Sequence, residues 1–185
     1  MSTGIMTRKP WTADELCRLP EGWRYEIDAG ALAIMAPAGI EHGDYTSNVT
    51  LLLGNFVKQH RLGKTLTGEV GFRLQAGPET LRAADVAFLS NERLALIPDR
   101  KGFSDVPPDL AVEIHMPDES GMQRKVGQYL AAGVRSVWVI DPGKRSLTQH
   151  RQGEQPRVMT DVNAQVEEPV LPGFECRLGE LFGEE

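Results

Sequence analysis

Apolar positions along the chain change period several times, and each change marks a predicted element. Tyr45, Val49, Leu52, Leu53 and Phe56 recur at helical spacing, which predicts an amphipathic helix from about residue 41 to 60, ending near Gly63. Before it, Thr12 and Glu15 have the spacing of a capping box and Trp11 and Leu16 that of a hydrophobic staple. A short helix over 12–19 follows, closed by Pro20 and Gly22. The stretch RYEIDAGALAIMAP reads as an entry hairpin turning at Ala29 and Gly30.

Three β-like runs come next, TLTGEVGFRL, LRAADVAFLS and PDLAVEIHM, and together they predict the centre of a sheet. The last is nearly continuous in apolar residues, as expected of a strand covered on both faces. Asp118 can cap a helix whose stripe is Met122, Val126, Tyr129 and Leu130, with Gly133 placed to end it, and SVWVIDP then gives another buried strand. Strand, helix, strand in that order predicts a right-handed parallel crossover. After Asp141, Gly143, Gly153 and Gly173 punctuate a meander, and LGELF reads as a last helical turn.

Composition narrows the class. A chain of 185 residues with 41% hydrophobic and 25% charged residues suits one globular domain, 1–185, with a core of its own. No stretch reaches the length of a membrane span and the start lacks a secretory pattern, so a cytoplasmic protein without a membrane partner is expected. Cys17 and Cys176 form no CxxC pair and read as reduced, buried small hydrophobes. The net charge of −6 weighs against a basic nucleic-acid coat, but a site that gathers carboxylates around a metal adds to such a balance. The sequence contains no GxSxG elbow, P-loop, HExxH or well-placed GxGxxG, which removes hydrolase triads and nucleotide switches.

Strand alternation then locates the chemistry. Along 109–116 it sends Leu110, Val112, Ile114 and Met116 to one face and Ala111, Glu113 and His115 to the other. In the preceding run Asp85 shares a face with the small Ala83 and Ala87, so Asp85 and Glu113 can meet in one pocket. Carboxylates buried in apolar strands need cations. Two readings satisfy that need: a magnesium site, or ion pairs with buried Arg or Lys.

The fragments RYEIDAGALAIMAP, ADVAF, PDLAVEIHMPDES, QYLAAGVRSVWVIDP and LPGFECRLGELF, with His42 and Lys125, occur in an order that resembles the Uma-type nuclease family. That family is also catalogued as domain of unknown function 820, a branch of the PD-(D/E)XK superfamily. The resemblance spans nearly the whole chain and implies an α/β restriction-endonuclease-like fold, a central mixed sheet flanked by helices, with an N-terminal helix and hairpin. It implies an Mg2+-dependent endonuclease, with Mn2+ as a substitute ion, that hydrolyses phosphodiester bonds of DNA.

Asp85 matches the aspartate of the family's PDV motif and Glu113 the glutamate of its VEV motif. The superfamily lysine has moved from the position of His115 into the following helix, at Lys125, and Glu26 matches the glutamate of the entry hairpin. Metal ligation is expected from Asp85, Glu113 and the backbone carbonyl of Ile114. His115 and His42 are candidates for the layer behind them, each with a purely structural alternative, and Glu26 has the alternative of a solvated strand glutamate. Arg73, Arg82, Arg124 and Lys144 are candidate DNA contacts or solvated charges. A homodimer fits a duplex-cutting enzyme. The chain departs from the family pattern at Ala84 for proline, IDAGAL for LIDGEL, and HMPD for LSPS, where Met116 removes a hydroxyl. A degenerate nuclease-fold module that binds protein or nucleic acid is therefore the second expectation.

Overall fold

The computed structural model describes residues 9–20, 23–68, 70–116 and 121–184. Near the start, the Glu15 carboxylate accepts the Thr12 N–H at 2.9 Å, capping α1 (Ala13–Leu16), which is shorter than the predicted 12–19. β1 (Arg24–Asp28) and β2 (Ala31–Met35) form the expected hairpin. Its turn residues Ala29 and Gly30 have φ 48° and 82°, the left-handed pair that lets a two-residue turn follow the strand twist. The long helix α2 (Ile40–His60) ends as Arg61, rather than a glycine, takes the left-handed conformation at φ 54°. Gly63 instead opens β3 (Gly63–Thr67), where a Cβ would collide with the Leu89 carbonyl.

The chain continues through β4 (Gly71–Ala76), β5 (Glu79–Ala83), β6 (Val86–Ser90), α3 (Asn91–Ala95), β7 (Leu110–Ile114), α4 (Met122–Ala131) and β8 (Ser136–Asp141). β9 (Ser146–Arg151), β10 (Arg157–Met159), β11 (Gln165–Glu167), β12 (Glu175–Arg177) and a 3-10 turn (Leu178–Phe182) complete it, as the meander and final turn predicted. Among the described residues the large sheet has the order β10-β9-β8-β7-β6-β3 and a smaller one β2-β1-β5-β4, with β11 paired to β12.

One expectation is corrected here. The runs TLTGEVGFRL and LRAADVAFLS do not each make one strand at the sheet's centre; each breaks and feeds both sheets, β3 and β6 into the large one, β4 and β5 into the smaller. Two features mark the breaks. Gly68 turns the chain at φ 85°, and Asp85 leaves the strand with its carboxylate bound to the Ile114 N–H.

β7 and β8 pair in parallel across α4, the predicted crossover. Gly133, at φ 91°, donates to the Leu130 carbonyl and closes α4, whereas the expected cap Asp118 lies outside the described residues. The large sheet is buried on both faces. Val49, Leu53 and Val57 of α2 pack on Val86, Phe88, Leu110, Val112 and Ile114. On the other face Val126 and Tyr129 of α4 sit over Ala87, Ala111, Val137 and Val139, where two alanines bring the helix close to the strands. Cys176 lies in the core as expected, but Cys17 is exposed, since α1 ends before it and turns it outward; both are free thiols. No helix among the described residues is long and apolar enough to cross a membrane.

Candidate active site

The period-2 geometry of β1 gives its two faces different tasks. Ile27 is buried against Ala13, Leu16 and Leu81, while Glu26 and Asp28 face the other way with Arg24. That second face, the end of β7, the break between β5 and β6 and the near ends of α2 and α4 enclose a cleft of about 540 Å³. Arg24, Glu26, His42, Asp85, Glu113 and Lys125 line it, so the fold brings Asp85, Glu113, Lys125, Glu26 and His42 together. His115 does not line the cleft. It follows the last residue of β7 and stands near Asp141 of β8. Met116 does line it, so the departure from the family's serine falls at the site.

Asp85 is buried and held by both oxygens. Oδ2 accepts the Ile114 N–H at 2.8 Å, and Oδ1 lies 3.2 Å from His42 Nε2 and 3.7 Å from the Arg24 guanidinium. Burial works to raise its pKa, but the His42 contact and the Ile114 N–H outweigh it and hold the carboxyl below its usual range. The His115 N–H donates to Ile140 of β8, so the N–H and C=O of Ile114 point to the opposite edge, that of Asp85.

Glu113 receives the Tyr129 hydroxyl on Oε1 at 2.8 Å and the Lys125 ammonium against Oε2 at 2.8 Å. Lys125 Nζ is also 3.1 Å from Glu26 Oε1. Glu26 is buried rather than solvated: it accepts the Ala83 N–H at 2.9 Å and Arg82 at 2.8 Å. Burial pushes Glu113 up to about 7, and the charges of Asp85 and Glu26 add to that effect while Lys125 opposes it. Burial also disfavours the Lys125 ammonium, yet Glu113 and Glu26 reverse the balance and keep it charged. Tyr129 is raised by burial and by the same carboxylates, so its hydroxyl remains a donor.

A further layer fixes the hairpin. Arg82 reaches Asp28 at 3.0 Å and the Gln128 side-chain oxygen at 2.8 Å, and Gln128 and Arg124 hold Asp28 at 2.7 and 2.9 Å. Arg82 and Arg124 were candidate DNA contacts; both are engaged with carboxylates here. Arg73 is paired with Asp105 at 2.6 Å and Lys144 with Asp141 at 2.6 Å. Sequence reasoning missed Arg24, Asp28 and Tyr129 at the site. Signals existed: Arg24, Glu26 and Asp28 alternate along one strand, and Tyr129 stands four residues after Lys125 on the same helix face.

Both readings of the carboxylates meet the geometry. The ion-pair reading is realised in part, since Glu26, Asp28, Asp85 and Glu113 each lie beside an arginine or lysine. A divalent cation also fits the donor set. Asp85, Glu113 and the Ile114 carbonyl are hard oxygens, the donor type that magnesium takes. Among the described residues no three or more His, Cys, Asp or Glu side chains gather as a metal cage. Magnesium seldom uses one and keeps several waters.

The family model described as Uma2, putative restriction endonuclease, matches residues 13–179. A crystal structure titled as a putative nuclease belonging to DUF820, from Anabaena variabilis, superposes with a TM-score of 0.78 at 22% identity, covering 94% of this chain and 98% of that one. That likeness is one of fold: a mixed sheet flanked by helices. No curated protein matches the chain. With the family model running from the start of α1 to the first residues of the final 3-10 turn, and with the fold agreeing, the chain belongs to the Uma2 family of restriction-endonuclease-like proteins.

Proposed function

We propose that the protein is an Mg2+-dependent endonuclease, with Mn2+ able to replace Mg2+, that hydrolyses phosphodiester bonds of DNA. The observation that carries this reading is the convergence of Asp85 and Glu113 on one cleft with the Lys125 ammonium 2.8 Å from Glu113.

Asp85, Glu113 and the Ile114 carbonyl would hold the ion, which when bound polarises a phosphate and acidifies a water. The chain's own residues do the rest. Tyr129 fixes Oε1 of Glu113, so its Oε2 is the oxygen presented to Lys125. His42 and the Ile114 N–H set the orientation of Asp85. Lys125 keeps its charge at neutral pH and is placed to orient the attacking water or to offset charge growing on the phosphate. Glu26, anchored by Arg82 and the Ala83 N–H, holds that ammonium in place. Two such sites in a homodimer would serve both strands of a duplex.

One observation favours a second reading. The cleft's acids are already paired with Arg24, Lys125 and Arg82, as in a nuclease fold that has become a binding module. Calorimetric titration of Mg2+ and Mn2+ into wild type, Asp85→Ala and Glu113→Ala, beside plasmid cleavage, separates the two. Metal-dependent cutting lost in both variants supports the enzyme. Binding of DNA or protein with no metal requirement and no cutting supports the module.

A further inference from the structure

We infer that Gln128 is a positioning residue for Lys125, acting through a ring of side chains that sets α4 against the β1 hairpin. The inference rests on the nuclease reading above and deepens it by naming what holds the ammonium where the reaction would use it.

The ring closes on itself. Lys125 Nζ lies 3.1 Å from Glu26 Oε1, Arg82 Nη1 donates to Glu26 Oε2 at 2.8 Å, and Arg82 Nε donates to Gln128 Oε1 at 2.8 Å. Gln128 stands three residues after Lys125 on α4, so a single turn of helix joins the two ends. The amide's other end is also engaged: Nε2 donates to Asp28 Oδ1 at 2.7 Å, the oxygen that Arg82 Nη2 approaches at 3.0 Å. β1, β5 and α4 are thereby tied together, while Gln128 does not line the cleft that Lys125 faces.

A lysine needs such a device. Its ammonium rides on a flexible four-carbon stem, and here it has to meet Glu113 at 2.8 Å and Glu26 together. Tyr129 fixes Glu113 from within the core. Glu26 sits on the hairpin, so the place of the ammonium depends on how α4 stands against β1. Arg82, 8% exposed, spends its whole fork on Glu26, Asp28 and Gln128, and the α4 end of that clamp is Gln128.

The chemistry of the position asks for this residue type. The side chain accepts from a guanidinium and donates to a carboxylate, and among long unbranched side chains only glutamine carries both a donor and an acceptor. A glutamate would set a like charge against Asp28, and a lysine would set one against Arg82. A merely solvated helix position would make no such demand.

The test is kcat and KM for Mg2+-dependent plasmid cleavage, beside Mg2+ calorimetry. Gln128→Met keeps the length and the helix propensity and removes both hydrogen bonds. It is expected to lower kcat by about 10- to 100-fold with KM within about twofold, as for a displaced group that acts in the transition state. Mg2+ affinity should stay within about threefold of wild type, because Asp85 and Glu113 keep their own partners. In a Lys125→Gln background, which retains an amide donor between the two acids, Gln128→Met should change kcat by less than about twofold. Asp28→Asn and Gln128→Glu should each lower kcat, and the two together, which move the carboxylate from the hairpin to α4, should restore it to within about threefold of wild type. That pair carries the test should circular dichroism show Gln128→Met unfolded.

Equal losses from Gln128→Met with and without Lys125 overturn the inference, as does a double exchange no better than its single changes. Mg2+ binding lost in Gln128→Met also overturns it, assigning Gln128 to the upkeep of the acids in general. In each of these cases wild-type cleavage leaves the nuclease reading standing. A wild type that cleaves no DNA overturns the nuclease reading, and this inference with it.

Discussion

The Tyr129 hydroxyl donates to Glu113 Oε1 at 2.8 Å inside the layer between α4 and the large sheet, where both side chains are buried. A residue of the helix's apolar stripe thereby fixes an acid of the central strand, and core packing and site geometry share one contact. Tyr129→Phe keeps the ring and removes the donor, leaving a buried carboxylate oxygen short of a partner. The expected loss of stability is about 1–3 kcal/mol at pH 8, read from urea denaturation. At pH 5 the loss should be smaller, because Glu113 is then protonated. Equal losses at both pH values would count against this account.

Glu113 also sets a pH dependence. Its pKa in the folded chain, about 7, lies above the ordinary 4.5, so between those values the native state binds more protons than the unfolded state. The resulting stability is full below pH 4.5 and is lost as pH rises through 7. The amplitude is on the order of 3 kcal/mol. Glu113→Gln should flatten that part of the profile, measured by urea denaturation in steps from pH 4.5 to 8.5 without divalent ions. A slope that survives the substitution would place its origin in another group.

Lys125→Ala removes the ammonium between Glu113 and Glu26 and leaves two buried acids facing each other. A destabilisation of about 3–5 kcal/mol is expected. Mg2+ at a hundred times its dissociation constant should return about 2.7 kcal/mol, since the ion binds the folded state alone. The variant should still bind DNA and cleave poorly. Thermal melts with and without Mg2+, beside plasmid cleavage, check both parts, and an Mg2+-insensitive melting temperature would argue against a metal at Asp85 and Glu113.

Asp85→Asn is nearly isosteric and keeps an oxygen for the Ile114 N–H. It should fold and should lose cleavage by at least about 10²–10³-fold. Retention of wild-type turnover in this variant would remove Asp85 from the reaction.

Much of this protein is legible along the chain because the signals are local. Alternation through Leu110, Val112 and Ile114 gave β7 and its faces, the 3.6-residue stripe gave α2 and α4, and Ala29 and Gly30 gave the hairpin turn. Lys125 came from the family resemblance, and helical geometry allows it to reach the carboxylates, since Met122, Lys125 and Tyr129 stand at spacings of three and four.

What period and spacing cannot encode is which strand lies beside which, and the tertiary structure decided that. Two runs that read as continuous strands divide between sheets, one breaking at the left-handed Gly68 and the other at Asp85, which binds a backbone N–H 29 residues away. The same long-range pairing brings Arg24, Glu26 and Asp28 against Arg82, Gln128 and Lys125, and sets His115 near Asp141 rather than in the cleft. The sequence alone determined the candidate acids and their strand faces, since backbone geometry follows from local order. Only folding determined the charge partners of those acids, since a buried carboxylate is held by whichever cation the topology delivers to it.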